Sequence, residues 1–433
     1  MSQPLIKKPD HRRWYRLDNA AKIFPALTRS RHNSVFRLAV LLCEPVNPEL
    51  LQQALEKTLL RFPFFAVRLK PGLFWYYLES FADRPLVEPD VQNPMRPFTH
   101  QDEKSYLFRV RYNDRRIAVE FFHALTDGTG ALVFLKTLTG AYLNLKGIVF
   151  EPDAGTLDIK DKPAEAEMED AYNRFSDFRM IRRHWESRAF HLQGTIDREH
   201  NLKIICGIIA VDKITAAARR FKVSVTEFLV GVYLFQLYQI QQQGGYNTLA
   251  PVRISVPINV RRFYPTRTLR NFALYTNPGI EPAYGTYTLE EVIGLVHHFL
   301  RYTVTEKYLN ALMCANVRPE KNMLMRLSPL ILKNLVMRLV YAFTGESRFT
   351  STLSNLGATQ LPAGMTPHVE RLEFLLGASH LNPVNCSVIS TGSCLTVNFT
   401  GSMTETAPQR AFFKELVRLG VPVRVESNLT YGE

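Results

Sequence analysis

The stretch FFHALTDGTG, residues 121–130, combines residue types that acid–base chemistry requires. The imidazole of His123 titrates near neutrality and can accept a proton from an attacking group. Asp127 can hold a neighbouring cation, and Gly128 permits a tight backbone turn. Two interpretations follow from this pattern: His123 is a catalytic base, or it is a hydrogen-bonded core histidine that precedes a turn.

The bare pattern His-x-x-x-Asp-Gly is weak evidence, because composition alone supplies it in roughly one chain in twenty-five of this length. A metal site built on His123 and Asp127 has little support, since no third ligand stands close to them in the sequence. No resident metal is therefore expected, and the flanking elements must decide between the two interpretations.

The flanking elements predict a strand-loop-helix junction. YLFRVRY and RRIAVEFF surround Asn113-Asp114 and predict a hairpin whose second strand ends at His123. After Gly128, the apolar run ALVFLKTLTGAYLNL predicts a helix. Upstream, residues 35–43 predict a strand, and the helix that follows has Asn47 as its N-cap. This order predicts that His123 projects from the edge of a sheet into a cleft.

The whole chain predicts an α/β protein of two subdomains, residues 1–170 and 171–433. The polar and acidic stretch 151–170 predicts a surface linker or mobile loop. From residue 201 the order strand, helix, strand, helix recurs, with LEEVIGLVHHFLRYTVTEKYLNALM as one helical stretch and APQRAFFKELVRLG as the last helix. The two halves share this order but no visible sequence repeat.

The segment SPLILKNLVMRLVYAF, residues 328–343, is apolar apart from Lys333, Asn334 and Arg338, which lie near one face of the predicted helix. The favoured interpretation is a packing helix with a narrow solvated stripe. The alternative is peripheral contact with a membrane surface or with an apolar substrate.

Composition restricts the class of protein. Hydrophobic residues make up 46% of the 433, which is enough for a large core. The five cysteines form no CxxC pair and are odd in number, so a disulfide framework is not expected. These cysteines predict a reducing cytoplasm. With no apolar leader and no stretch of about 18 apolar residues, the sequence predicts a soluble protein, and a monomer is expected.

The net charge of +13 is concentrated in the second half of the chain. Residues 228–280 contain no Asp or Glu but several arginines, which predict either contact with phosphate or a solvated basic surface. These arginines are Arg253, Arg261, Arg262, Arg267 and Arg270. Nucleic-acid binding is disfavoured, because the stretch lacks a reader motif and interleaved aromatic residues.

Four stretches together resemble one known family. FHALTDG resembles the HHxxxDG motif of the coenzyme A-dependent acyltransferase superfamily, which includes chloramphenicol acetyltransferase, the nonribosomal peptide condensation domains and the alcohol acetyltransferases. Three further stretches, one before this motif and two after it, fall in the order that this superfamily shows: LLQQALEKTLLRFPFFAVRL, VPINVRRFYPTRTLRNFALYTNP and TSTLSNLG. The resemblance covers essentially the whole chain. It is closest to the alcohol acetyltransferase-like branch, through RLDNAAKIFPAL and TLRNFALY.

This sequence departs from the family pattern at two places. Phe122 replaces the first histidine of the motif, and the DFGWG signature of plant acyltransferases is absent. In the family the second histidine is the catalytic one, and it corresponds to His123. The substitution therefore leaves the expected base in place.

The resemblance implies two chloramphenicol acetyltransferase-like subdomains with a tunnel between them and His123 midway along it. His123 would act as general base while an acyl group moves from acyl-coenzyme A, or from acyl-phosphopantetheine on a carrier protein, to a hydroxyl or amine acceptor. The family forms no covalent acyl-enzyme and has no permanently bound cofactor. The thioester is a co-substrate.

The resemblance also implies roles for other residues. Asp127 would be a structural anchor that pairs with Arg261, with Asn259 as a second candidate. Ser354 and Asn355 would donate to the oxyanion, or would form an ordinary strand-edge pair. Arg262, Arg267 and Arg270 would contact the donor phosphates or a carrier protein.

A non-catalytic protein of the same fold remains the alternative function. Such a scaffold would bind a hydrophobic ligand or a carrier protein, and the loss of the first motif histidine keeps this hypothesis open. Retention of His123, Asp127 and Gly128 together weighs against it, because a binding module does not need a base.

Overall fold

The computed structural model of the chain describes residues 13–28, 34–98, 105–153, 155–176, 186–197 and 201–429. Within them the strands are β1 Trp14–Arg16, β2 Val35–Leu42, β3 Val67–Pro71, β4 Tyr76–Ser80, β5 Val87–Pro89, β6 Phe108–Asn113, β7 Arg116–Phe122, β8 Lys203–Ala210, β9 Val252–Asn259, β10 Ala273–Thr276, β11 Gly279–Ile280, β12 Ser351–Thr359, β13 Val369–Leu375, β14 Val384–Thr391, β15 Cys394–Gly401 and β16 Arg424–Ser427. The α-helices are α1 Phe24–Leu27, α2 Pro48–Arg61, α3 Gly128–Leu145, α4 Ala171–Phe175, α5 Val211–Arg220, α6 Val225–Gln243, α7 Leu289–Thr303, α8 Glu306–Lys321, α9 Met323–Leu327, α10 Leu330–Thr344 and α11 Ala407–Arg418. The prediction of an α/β chain is confirmed.

The sheet that carries His123 has five strands in the order β13-β2-β7-β6-β5. The predicted hairpin is confirmed, since β6 pairs antiparallel with β7 across a turn at Asp114, whose φ of 45° an aspartate tolerates. Every residue of β2 is buried, because β2 lies between β7 and β13 and carries the core of this half. The predicted N-cap is also confirmed, as Asn47 Oδ1 accepts from the amides of Glu49 and Leu50.

The second large sheet has eight strands, seven of them in the order β10-β9-β12-β14-β15-β8-β16, with β11 paired to β9. Its centre is parallel, β9 with β12 and β12 with β14, and its remaining pairs are antiparallel. The long apolar helix α6 is buried along most of its length against this sheet and α7. A third, small sheet is formed by β1, β4 and β3.

Strand β13 joins the two large sheets. It follows β12 of the second sheet in sequence, yet it pairs with β2 of the first. Its backbone also accepts hydrogen bonds from the second sheet: Thr396 Oγ1 donates to Leu372 O at 2.9 Å, and Ser387 Oγ donates to Phe374 O. Strand β13 is therefore hydrogen-bonded to both large sheets.

Three local features add detail that the sequence did not predict. The stretch from Leu289 is two helices, because the β-branched run Thr303-Val304-Thr305 ends α7 and begins α8. The predicted last helix is confirmed as α11, and it is followed by an unpredicted strand, β16, whose four residues are all exposed and give no burial pattern. The predicted linker is anchored at its end, where Glu167 is buried and accepts hydrogen bonds from Arg61 at 2.6 and 2.7 Å.

Across the described ranges, no single helix is both long and apolar enough to span a membrane. One bent pair, α5 with α6, reaches the required length and composition, with 75° between its two parts.

Two glycines on neighbouring helices test the packing of α6 against α7. A Cβ on Gly231 of α6 would lie 2.6 Å from Ile293 Cγ1 and 3.0 Å from Ile293 Cα on α7, whereas a Cβ on Gly294 would meet nothing within 4 Å. We expect Gly231→Ala to lower the free energy of unfolding by about 1–3 kcal/mol through overpacking. Gly294→Ala should raise it by about 0.5–1 kcal/mol, because alanine restricts the unfolded chain. Urea denaturation of both variants measures the difference, and equal effects would contradict the described packing.

Candidate active site

His123 lies immediately after β7, and its backbone amide donates to Ser34 O at 2.9 Å. Its ring stacks on Phe24 of α1, with 4.5 Å between centroids and 17° between planes, and lies 5.0 Å from the ring of Phe36. The side chain remains partly exposed between these apolar rings. The histidine is therefore held in a fixed orientation without being sealed in the core.

Asn271 sets the tautomer of His123. The Asn271 side chain donates through Nδ2 to Asp18 Oδ2 and to His123 O, each at 3.1 Å, so its Oδ1 is the atom that faces His123 Nδ1 at 2.9 Å. An amide oxygen only accepts, so Nδ1 must carry the proton. Among the residues that the structure describes, none is hydrogen-bonded to Nε2. The lone pair of the neutral imidazole is therefore available at Nε2.

Asp18 completes a chain of three side chains, Asp18, Asn271 and His123. It is fully buried, accepts from the backbone amide of Ala21 at 2.7 Å, and lies 3.6 Å from the guanidinium of Arg270. Burial raises the pKa of Asp18 to about 6, against the opposing charge of Arg270. Because Asp18 holds the amide of Asn271, it acts on His123 only through that amide.

Burial also lowers the pKa of His123 below its ordinary value, and the carboxylate of Asp127 opposes the shift only in part. At neutral pH the ring is therefore uncharged, which is the form that a general base requires.

The carboxylate of Asp127 accepts four hydrogen bonds. Its Oδ1 accepts from the amides of Thr129 and Gly130, both at 3.1 Å, which caps the N-terminus of α3. Its Oδ2 accepts from Arg261 Nη1 and from the amide of Phe272, both at 2.8 Å. The carboxylate is therefore fully used by these contacts and takes no part in proton transfer.

Arg261 is itself fixed by backbone carbonyls, since its Nε donates to Thr268 O at 3.0 Å. Asn259 supports the same contact: its Oδ1 accepts from Arg261 and its Nδ2 donates to Thr129 Oγ1 at 3.2 Å. Thr126 Oγ1 adds a bond of 2.6 Å to Leu269 O. The structure thus brings together the predicted residues His123, Asp127, Arg261 and Asn259 in one interface between the loop and the segment 259–272.

Gly128 does not form the expected tight turn. It is the first residue of α3 and has no left-handed backbone conformation; a Cβ there would lie 2.8 Å from Leu356 of β12. Gly130 is more tightly restricted, because a Cβ there would lie only 2.1 Å from Leu269 O. Glycine is needed in this loop for close approach rather than for a turn.

Phe122, which stands where the family has its first histidine, is buried and packs on the ring of Phe98. Successive side chains of a strand point to opposite faces, so Phe122 points away from the face of His123. Phe122 therefore contributes apolar contacts to the core.

Strand β12 reaches the loop through Leu356, which contacts Gly128. On the same strand the Asn355 amide is engaged elsewhere, as it donates to Thr226 Oγ1 of α6 at 2.9 Å and accepts from the amide of Gly357 at 2.7 Å. These contacts fit the strand-edge alternative for Asn355 better than an oxyanion donor. Ser354 is buried on this strand.

Comparison with known proteins was made by sequence and by structure. No family model matches the chain, and no curated protein matches its sequence. The structure of polyketide synthase associated protein 5 from Mycobacterium tuberculosis aligns with a TM-score of 0.61 over 96% of this chain and 98% of that one, at 14% identity. Trichothecene 15-O-acetyltransferase from Fusarium sporotrichioides aligns at 0.60, over 94% of each chain and at 11% identity. A starter condensation domain of rhizomide synthetase, in complex with C8-CoA, aligns at 0.57, over 94% of each chain and at 12% identity.

The protein has the coenzyme A-dependent acyltransferase fold. The expected resemblance to chloramphenicol acetyltransferase-like proteins is confirmed at the level of the fold. Within this acyltransferase fold, His123 ends a strand of the first large sheet and Asn271 lies just before β10 of the second.

Most of the arginines in the arginine-rich stretch of this chain, residues 228–280, lie inside the protein. Arg270 was predicted to contact donor phosphates, but it is buried and donates to the carbonyls of Met168 and Arg16, so that prediction was wrong. Arg253 is buried as well and pairs with Glu281 at 2.6 Å. Arg262 and Arg267 are exposed and remain candidates for donor contact.

Sequence reasoning missed three residues of the site: Asp18, Phe24 and Asn271. A signal existed for each, because Asp18 and Phe24 lie in RLDNAAKIFPAL and Asn271 in TLRNFALY, the two stretches that carried the family resemblance. Neither stretch contains a spacing that would place its residues beside a histidine about 100 or more positions away in the sequence. Only the fold brings them together.

The Asp127–Arg261 contact gives a stability test with a matched control. We expect Arg261→Gln to lower the free energy of unfolding by about 3 kcal/mol, because it leaves a nearly buried carboxylate without its cation. The neighbouring variant Arg262→Gln removes the same charge from an exposed position and should change it by less than about 0.5 kcal/mol. Chemical denaturation of both variants checks this, and similar values for the two would show that Asp127 does not depend on Arg261.

Proposed function

We propose that this protein is an acyltransferase that moves an acyl group from a coenzyme A or carrier-protein thioester to a hydroxyl or amine acceptor. The observation that carries the proposal is the neutral His123 imidazole, oriented by Asn271 so that Nε2 is free to accept a proton. The fold supports it, since structural neighbours include an acetyltransferase and condensation domains.

In the proposed reaction, Nε2 takes the proton of the acceptor as its oxygen or nitrogen attacks the thioester carbonyl. The Nδ1 proton stays on the ring, where its bond to Asn271 stabilises the imidazolium that forms. Collapse of the tetrahedral intermediate breaks the carbon–sulfur bond, and the proton passes from Nε2 to the leaving thiolate. The acyl group moves directly to the acceptor, without a covalent acyl-enzyme.

Two structural neighbours bear on the identity of the acyl donor. A neighbouring condensation domain was solved with C8-CoA, and another neighbour is described as associated with a polyketide synthase. These support a pantetheine thioester carried either by coenzyme A or by a carrier protein. Exposed Arg262 and Arg267 would contact its phosphates, and the Ser354 hydroxyl is the proposed oxyanion donor.

Removal of the base tests this function. We expect His123→Ala to lower the rate of thiol release from acyl-coenzyme A by about 10²-fold or more, because proton transfer is lost. His298→Ala, at an exposed position on α7, should leave the rate unchanged. A thiol-release assay over donors of increasing acyl length, followed by mass spectrometry of the product, measures this. Unchanged turnover in a folded His123→Ala variant would favour the binding or scaffold alternative.

The lowered pKa of His123 predicts the pH dependence of the reaction. The neutral imidazole is the active form, so kcat/KM should be constant at neutral pH and fall only as the pH drops through a value below about 6.5. Asp18 has a pKa of about 6 and could contribute to the same acid limb. The Asp18→Asn variant distinguishes the two groups. If the decrease in kcat/KM at acidic pH persists in this variant, it reports protonation of His123. If the decrease disappears, it reports protonation of Asp18.

A further inference from the structure

Helices α9 and α10 expose a continuous series of apolar side chains. Ile331, Leu335, Leu339 and Phe343 recur at four-residue intervals and so lie along one side of α10. Their exposed fractions run from 54% to 86%. Five further apolar residues of the two helices are each at least half exposed: Met323, Leu324, Leu327, Leu332 and Val340.

The polar residues of α10 face the protein instead of the solvent. Lys333 is 1% exposed, and its ammonium donates to Phe74 O at 2.9 Å and lies 3.9 Å from the ring centroid of Trp75. Asn334 donates to the Tyr76 hydroxyl at 3.1 Å. The predicted solvated stripe is therefore the packed side, and the apolar side is left open.

This arrangement is the reverse of the usual helix of a soluble protein, where the apolar stripe faces the core. Burial of a lysine requires its hydrogen bonds to be met inside the protein, and Lys333 meets them with backbone carbonyls and an aromatic face. Because the inward side is already satisfied, the outward apolar side is not available to the core of this chain.

The exposed series continues onto the hairpin of β3 and β4. The amide of Leu330 donates to Leu73 O at 2.9 Å, which places the hairpin tip beside the start of α10. Leu73 is 73% exposed and Phe74 is 39% exposed. We call the exposed side chains of the hairpin tip, α9 and α10 the apolar patch.

The charged residues of the segment that carries α9 and α10, and of the end of α8 before it, are mainly basic. Residues 318–343 contain five basic side chains and one acid. Among the basic ones, Arg318, Lys321 and Arg326 are exposed, whereas the acid, Glu320, is engaged by Lys22 at 2.5 Å. The whole chain carries a net charge of +13.

Aromatic residues lie beside the patch as well. A pocket of about 790 Å³ opens next to α9. Its aromatic lining is Trp14, Phe74, Trp75, Tyr76 and Tyr77, and its charged lining is three cations, Arg16, Lys22 and Arg326, with two carboxylates, Glu79 and Glu320. Tryptophan and tyrosine side chains near cations are typical of surfaces at the boundary between lipid and water.

We propose that the apolar patch is a docking surface for an anionic lipid bilayer. The apolar side chains would enter the boundary between headgroups and acyl chains, and the surrounding arginines and lysine would face the lipid phosphates. These basic residues favour an anionic surface over a second copy of this chain, since two copies would bring like charges together.

The apolar patch is connected to the candidate active site. Arg338 of α10 donates to Ala26 O of α1 at 2.6 Å, and α1 carries Phe24, which stacks on His123. The packed side of α10 therefore contacts the helix that stacks on the histidine. The proposal does not rest on the proposed function, because docking is measured without any reaction.

Vesicle co-sedimentation tests the proposal on the full chain. Vesicles of phosphatidylcholine alone are compared with vesicles that also contain phosphatidylglycerol. The test variant is Ile331→Ser/Leu335→Ser/Phe343→Ser, and the matched control is Val149→Ser/Leu249→Ser/Val417→Ser, which removes three exposed apolar side chains from other surfaces. Circular dichroism and thermal unfolding establish that both variants fold.

The wild type and the control should bind the anionic vesicles, more weakly as salt rises, and the test variant should bind at least about tenfold more weakly. Equal vesicle binding by both variants would overturn the proposal. Absence of binding, with a concentration-dependent dimer in sedimentation velocity that the test variant loses, would overturn it as well and assign the patch to a second copy.

Discussion

The Asp127 carboxylate is the constraint on which the candidate site depends. One oxygen caps α3 and the other joins Arg261 to the amide of Phe272, so a single buried group fixes the helix after the loop and the segment opposite it. A carboxylate at this depth is tolerated only because each lone pair has a donor. The same contacts keep Asn271 within hydrogen-bonding distance of His123. The orientation of His123 thus depends on an ion pair that is not among the hydrogen-bond partners of its ring.

Three separate parts of the chain define the state of the histidine. Strand β7 positions it, Asn271 holds the proton on Nδ1, and Phe24 of the N-terminal segment stacks on the ring. Burial keeps the imidazole neutral, and the buried Asp18 holds the amide that selects the tautomer. His123 differs from a core histidine in one respect. Among the described residues, a hydrogen-bond partner is found for Nδ1 but not for Nε2.

Local patterns in the sequence predicted the elements better than their arrangement. The β6–β7 hairpin and the Asn47 cap follow from turn and cap chemistry that a few neighbouring residues determine. The inward orientation of Lys333 could not be predicted, because periodicity shows which residues share a helix face but not which face is covered. Arg270 was misassigned for a similar reason, since charge in a sequence does not reveal burial. Asn271 required contacts across about 150 residues, and β16 had no pattern to detect.

The position of β13 has a consequence for the order in which the chain can fold during synthesis. Strand β2 is buried along its whole length, yet its partner on one side is made more than 300 residues later. Until that partner leaves the ribosome, the first half presents an apolar strand with an unpaired edge, which is a template for wrong pairing. Contacts of such long sequence separation also form slowly. A fragment that ends before residue 369 would keep that edge of β2 without its partner strand.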